Sequence, residues 1–386
     1  MDIPLKRHVS GFLENKYMRS FVKMILQIAR RMDYIVLYLV CRIRYQINDK
    51  KILFLSDSRS DMSGNFAFIY EAVKDDFEVK SFLHNTNKGT KLSFCKELAT
   101  AKYILVDDFY PLIYPIPLRR GTELIQVWHA VGAFKTVGFA RKQNNDKFSM
   151  THRNYTKAIV SSEEIRKDYA KAFRMDEDKV YSTGIPRTDI FFDEEYKENK
   201  KRELYERYPI LTDKKVILFA PTFRGNNVNQ AYYDWDKIDF EDFRKNMSDE
   251  YVCIIKMHPF VKNSCTQKLD TDFYLDLTCE REINDLLFVT DVLITDYSSV
   301  IFEASMLDVH VVFFAYDLEE YIRERDFFYP YEKYTYGPVV KKQEHLKDAI
   351  RVLDDYTEVK KQFRDYFMGN CDGHSTERLV DMFFER

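Results

Sequence analysis

Glycine is scarce, eleven in 386 residues. None of them falls in the G-x-G-x-x-G turn of a dinucleotide site or in the G-x-x-x-x-G-K-[ST] loop that wraps a triphosphate, which argues against nicotinamide and P-loop enzymes. Gly64 stands in the one short Ser-Gly-Asn cluster. The six cysteines are scattered, with neither a C-x-x-C pair nor a histidine group at metal-ligand spacing, so they read as reduced thiols and no metal or cofactor is expected. Long apolar runs are missing too. The stretch Tyr34–Cys41 is far shorter than the roughly 20 residues that a bilayer-spanning helix needs. No secretory leader pattern opens the chain, and the expectation is a body that stays on the cytoplasmic side. What remains, 45% hydrophobic and 31% charged residues, suffices for two globular cores.

Charge is unevenly spread. Residues 1–51 hold eleven Lys/Arg against four acids, or +7, which leaves −10 for the rest of a chain whose net charge is −3. A basic, aromatic-rich helical stretch over about 17–47 fits a helix lying on an anionic membrane surface, peripheral to the cytoplasmic face. There each Lys or Arg contributes on the order of 1 kcal/mol. The alternative is a helix that packs its apolar face on the following domain and solvates its charges. Nucleic acid is not an expected partner, because the basic residues belong to no recognisable nucleic-acid module.

After Lys51 short β-rich runs alternate with helical patterns, the signature of parallel α/β units. Strands are expected at Ile52–Leu55, Glu78–Leu83, Tyr103–Val106, Leu124–Trp128, Ala158–Val160 and Val180–Ser182, then at Val216–Ala220, Val252–Met257, Phe273–Leu277, Val292–Thr295 and Val309–Phe314. The division is a basic helical segment over 1–50, one Rossmann-like domain over 51–200 and a second over 201–386, with the charged stretch Glu194–Arg207 as linker. Ligands of open α/β sheets bind beyond the carboxyl ends of the strands, so polar residues there deserve the search.

Five such places stand out. Trp128-His129-Ala130-Val131-Gly132-Ala133-Phe134-Lys135 follows a buried run. A histidine side chain ordinarily titrates at about 6.5 and so suits a general base, although His129 alone reads as a structural histidine first. Lys135 could neutralise a phosphate. In Gly184-Ile185-Pro186-Arg187-Thr188-Asp189 the Arg187 fork matches an oxyanion or, equally, pairs with Asp189. Phe219-Ala220-Pro221-Thr222-Phe223-Arg224 ends a strand in a hydroxyl and a guanidinium, or is a plain strand exit. Ile254-Ile255-Lys256-Met257-His258-Pro259 puts Lys256 and His258 on one face by the strand period of two, as a diphosphate would require. In Thr295-Asp296-Tyr297-Ser298-Ser299-Val300 a serine caps a helix whose free N–H groups and dipole favour an anion, beside the plain capping role.

Together with Asn370-Cys371-Asp372-Gly373-His374-Ser375-Thr376-Glu377-Arg378, these segments resemble, in order from about residue 51 to the C-terminus, the CDP-glycerol glycerophosphotransferase family of teichoic acid synthesis. The resemblance implies a GT-B fold of two doubly wound Rossmann-like domains. It also implies transfer of glycerol phosphate, or ribitol phosphate in sister enzymes, from CDP-glycerol or CDP-ribitol to a hydroxyl of a lipid-linked saccharide or polyol phosphate acceptor, releasing CMP. By the same resemblance His129 is the base near the acceptor and His258 a donor-phosphate ligand or electrophilic helper. Lys135, Arg187, Pro221, Thr222, Arg224, Lys256, Asp296, Ser298 and Ser299 would surround the diphosphate and polyol, and the segment Thr278–Glu282, including Thr278 and Glu282, would lie beside the cytidine. The loop H-A-V-G-A-F-K is one residue longer than the H-G-T-P-L-K of familiar glycerol polymerases, which bears on the choice between glycerol and ribitol. Two rival readings share the fold: a glycosyltransferase using a sugar nucleotide, and a non-catalytic envelope scaffold.

Overall fold

The computed structural model describes residues 16–86, 89–142, 146–225, 228–351 and 356–385. Residues 1–15 of the expected basic segment, Lys6 and Arg7 among them, lie outside the described residues. Two compact units form: one holds the described residues up to Arg187 and from Asn370 onward, the other Thr188–Gly369.

Each unit is built on a six-stranded, wholly parallel sheet. The first unit contains β1 (Asn48–Leu55), β2 (Glu78–Phe82), β3 (Ala101–Val106), β4 (Glu123–Gln126), β5 (Lys157–Ile159) and β6 (Val180–Tyr181), in the order β2-β1-β3-β4-β5-β6. The second contains β7 (Lys215–Phe219), β8 (Tyr251–Ile255), β9 (Tyr274–Asp276), β10 (Val292–Thr295), β11 (His310–Phe314) and β12 (Val339–Val340), in the order β12-β11-β10-β7-β8-β9. Strands so covered on both faces read as unbroken apolar runs, and Ile52–Leu55, Tyr251–Ile255 and Val292–Thr295 are buried throughout. Eleven of the twelve strands fall at expected places. β12 is two residues long and carries no period to detect.

Both sheets have a switch point, where the chain leaves one side of its first strand and returns on the other: between β1 and β3, and between β7 and β10. Parallel register aligns the strand ends there, Leu55 beside Val106 beside Gln126, and Phe219 beside Ile294.

The N-terminal stretch is two helices, Lys16–Arg30 and Met32–Arg44, broken at Arg31. The second packs on helix Lys91–Thr100 and buries Tyr38 and Cys41, with the Tyr38 hydroxyl accepting from the Arg119 N–H at 2.9 Å. Outer-face residues Met32, Val36, Val40 and Ile43 stay exposed, as do Tyr17, Phe21, Ile25 and Leu26 of the first helix. No helix among the described residues is long and apolar enough to cross a membrane.

The sequence places one boundary near residue 200, whereas the units part after Arg187 and again after Gly369. Helix Glu194–Arg207 is no free linker. Its Tyr196 hydroxyl donates to Asp285 Oδ1 at 2.9 Å, within the second unit. The C-terminal segment belongs to the first unit for identifiable reasons. Asn370 N donates to Ser161 O at 3.0 Å, Arg378 bridges Thr183 O (3.0 Å), Asn370 O (2.7 Å) and the Asp372 carboxylate, and Phe384 meets Tyr103 ring to ring at 4.9 Å. Gly184, at φ +80°, makes this closure possible, because a Cβ there would lie 2.2 Å from Asn370 O. Gly184→Ala should therefore cost about 1–3 kcal/mol in backbone strain alone. Hydrogen exchange should show β5 and β6 opening more readily while β7 to β10 keep their protection.

Candidate active site

In the first unit the polar groups gather where β1, β3 and β4 end. Ser56 directly follows β1, and its Oγ accepts from Ser58 N and Arg59 N at 3.2 and 3.0 Å. Arg59 Nε reaches the buried carboxylate of Asp107, just past β3, at 2.8 Å. Burial raises the Asp107 pKa, and bonds from Ser56 and the Arg59 charge oppose that rise.

His129 stands three residues past β4, its side chain exposed. Its Nδ1 lies 3.2 Å from the carbonyl of Asp107 and 3.7 Å from Asp108 Oδ1. A carbonyl only accepts, so Nδ1 carries the hydrogen, and the neutral ring keeps its lone pair on Nε2. This is the tautomer that a general base requires. Arg187 joins the same cluster by donating from Nη1 to the His129 carbonyl at 2.9 Å. Lys135 sits half-buried further along the loop. That loop is held at Gly132, whose N–H donates to Ser161 Oγ (3.2 Å) and whose carbonyl accepts from Tyr169 OH (2.8 Å).

In the second unit the ends of β7 and β10 are locked together. Asp296 is 1% exposed, and its Oδ1 accepts from Thr222 N and Tyr297 N at 2.7 and 2.6 Å. Arg224 Nη1 lies 2.9 Å from Asp296 Oδ2, while its Nε and Nη2 fork onto Asp317 at 2.6 and 2.9 Å. Rings of Tyr297, Tyr316 and Tyr321 surround the guanidinium. Burial opposes its charge, but the two carboxylates more than offset this and hold it protonated. Arg224 and Asp296, expected as donor ligands, thus bond to each other and to Asp317. Pro221 and Thr222 are buried beside them, and Thr222 Oγ1 has no partner among the described residues.

Two further expectations change. Lys256 and His258 do not share a strand face, because β8 stops at Ile255. Lys256 is buried and donates to Thr278 O at 3.0 Å, its pKa lowered by that burial, whereas His258 packs between Phe223 and Phe260 at 4.8 and 4.6 Å. The Phe260 N–H donates to His258 Nδ1 at 3.2 Å, which places the neutral ring's hydrogen on Nε2. The serine loop also differs. Ser299 makes no capping bond, Ser298 Oγ accepts from Val300 N at a long 3.4 Å, and the helix Val300–Ala304 is only one turn and a half, too short for a strong dipole. The loop can offer hydroxyls rather than a helix end. Thr278 also accepts from Met257 N at 3.1 Å, and Glu282 is half-buried just ahead of helix Ile283–Leu287, 3.6 Å from Arg281.

Sequence reasoning missed Arg59, Asn65, Asp107, Asp108, Gln126 and Asp317. Asp107 and Asp108 directly follow the apolar run Tyr103–Val106, so the strand-end rule that found the others reaches them as well. Asn65 and Asp317 gain their partners only through the fold. Arg224→Met would leave the buried Asp296 and the half-buried Asp317 without a counter-charge. The expected cost is roughly 3–5 kcal/mol, read as lost hydrogen-exchange protection in β7 and β10 with the first unit unchanged.

With this geometry in hand, likeness to known proteins is informative. A teichoic acid poly(ribitol-phosphate) polymerase of Bacillus spizizenii is 46% identical over 347 residues, 87% of this chain and 56% of its own length, so this chain spans little more than half of that relative. A teichoic acid glycerol-phosphate primase of Bacillus subtilis is 31% identical over 288 residues, 73% of each chain. The solved wall teichoic acid polymerase TagF superposes with a TM-score of 0.74 at 22% identity, over 94% of this chain and 97% of that one, a likeness of fold. Residues 36–385 match the family model described as CDP-Glycerol:Poly(glycerophosphate) glycerophosphotransferase, and the chain belongs to that family.

Proposed function

We propose that this chain transfers a polyol phosphate from a CDP-activated polyol to a hydroxyl of a lipid-linked acceptor or growing teichoic-acid-type polymer, and that its two sheets are the halves of a GT-B enzyme. The observation that carries the reading is His129: an exposed imidazole whose Nδ1 is committed to the Asp107 carbonyl, leaving Nε2 to take a proton. In the step envisaged, the acceptor oxygen attacks the β-phosphorus in line and gives its proton to His129 as the new O–P bond forms. The bond between that phosphorus and the bridging oxygen breaks, and CMP departs with the bridging oxygen. Such a reaction needs positioning and charge neutralisation more than covalent help. In the second unit, Lys256, the imidazole of His258, the hydroxyls of Ser298 and Ser299 and the Thr222 hydroxyl, unpartnered among the described residues, are the groups suited to a diphosphate.

Ribitol is the favoured polyol. The ribitol-phosphate polymerase is the more similar relative, 46% against 31% for the glycerol-phosphate primase, and the loop after His129 departs from that of glycerol polymerases by one residue. Incubation with CDP-ribitol and CDP-glycerol in turn, with a lipid-linked disaccharide acceptor and mass detection of products, should give CMP release and chain extension with CDP-ribitol. Preference for CDP-glycerol would reverse the polyol assignment, and turnover with a UDP-sugar instead would replace the reaction. His129→Ala should lower turnover about 10²–10⁴-fold while donor binding persists, and turnover within a few-fold of the parent would remove the base role.

The exposed apolar residues Tyr17, Phe21, Ile25 and Leu26 share helix Lys16–Arg30 with Arg19, Lys23 and Arg30, a composition that supports peripheral attachment to an anionic membrane. Sedimentation with phosphatidylglycerol vesicles should pull the protein down at low salt. Arg19→Glu with Lys23→Glu should abolish this, and equal recovery of parent and variant would count against attachment.

A further inference from the structure

Trp128, immediately before His129, adopts φ +48°, a left-handed conformation costly for a bulky residue. Strain of that kind persists only where the surroundings impose it, and two buried amide side chains do so. Gln126, 0% exposed, accepts the Trp128 N–H on Oε1 at 2.9 Å. Through Nε2 it donates to the Asp108 carbonyl at 3.2 Å and to Tyr155 OH at 2.8 Å. Asn65, 3% exposed, donates from Nδ2 to the carbonyls of Val127 (3.0 Å) and Trp128 (2.8 Å), and its Oδ1 accepts the Arg187 N–H at 3.2 Å.

The peptide between residues 127 and 128 is therefore held by both amides, and the peptide between 128 and 129 by Asn65. The remaining bonds of these amides go to the other two pieces of the cluster: Gln126 holds the Asp107–Asp108 turn, whose carbonyl sets the His129 tautomer, and Asn65 holds Arg187, whose guanidinium binds the His129 carbonyl. The Trp128 ring wedges against Phe109 and Phe173 at 5.7 and 5.3 Å and lies 4.4 Å from the His129 ring, so a change in its backbone would swing the imidazole. Plain core packing would not demand this, since an apolar pair of similar volume fills the same space without imposing a left-handed residue.

We infer that Asn65 and Gln126 are positioning residues that hold Trp128 in its left-handed turn and thereby present His129 as a base with its lone pair on Nε2. The inference rests on the role proposed for His129, and its test separates the two. Asn65→Asp keeps the acceptor for Arg187 and turns an oxygen toward two carbonyls. Asn65→Ser is the milder variant, should the first not fold. Asn154→Ala serves as the control, because Asn154 ties the carbonyls of Ile113, Tyr114 and Ile116 in the same unit without touching residues 126–129.

At matched loss of thermal midpoint, the Asn65 variants should lower kcat about 10²-fold with donor KM little changed, while Asn154→Ala keeps its kcat. Ring ¹⁵N spectra of the parent should show His129 with its proton on Nδ1, and the Asn65 variants should show both tautomers. Equal kcat losses in the Asn65 variants and Asn154→Ala, or an unchanged His129 tautomer, would overturn the inference whatever His129→Ala does. If His129→Ala keeps its turnover while the tautomer responds as expected, the base role falls and the positioning stands.

Discussion

A parallel strand covered on both faces admits an uncompensated polar side chain only where it stops, and this constraint organises both units; Lys51, buried within β1, is offset by Glu78 and Glu97. The apolar runs of β1, β3, β4, β7, β8 and β10 leave no place for charge along their length. Arg59, Asp107, His129, Arg224, Lys256 and Asp296 all lie within a few residues of a strand's carboxyl end. Switch points then decide which ends become neighbours, so that residues far apart in sequence, such as Thr222 and Asp296, bond directly.

The two units use this crowding differently. In the second, opposite charges offset one another: Arg224 is enclosed by Asp296, Asp317 and three tyrosines, and its role is to hold the β7 and β10 exits in one geometry. Such a buried ion pair adds little net stability yet is costly to break on one side. In the first unit the charged pair Arg59–Asp107 sits behind an imidazole that remains exposed. One cluster braces a loop, and the other leaves a titratable group accessible on a braced loop.

Much of this was legible in the sequence, and the limits have physical causes. Strand positions are written in apolar runs such as Ile52–Leu55 and Val292–Thr295, and the residues after them mark the candidate site. What does not show is how each side chain spends its bonds. Arg224 reads as a phosphate ligand until Asp317, 93 residues later, is found on its guanidinium. Lys256 and His258 read as same-face neighbours only if the strand continues past Ile255, and it does not. Asn65 has no local signature because its partners are backbone groups at 127, 128 and 187. Long-range amides of this kind are invisible to periodicity, although they decide where a histidine points.

The return of Asn370–Phe384 to the first unit also has a bearing on how the protein comes into being. A chain leaving the ribosome presents the whole of Thr188–Gly369 before the segment that closes around Gly184 and Ser161 exists. The second unit therefore has all its residues first and can fold as an inserted module, while the strands that precede Asp107 and His129 wait for helix Ser375–Phe383 to seal them. The histidine loop is accordingly completed only after the residues of the second sheet have been synthesised.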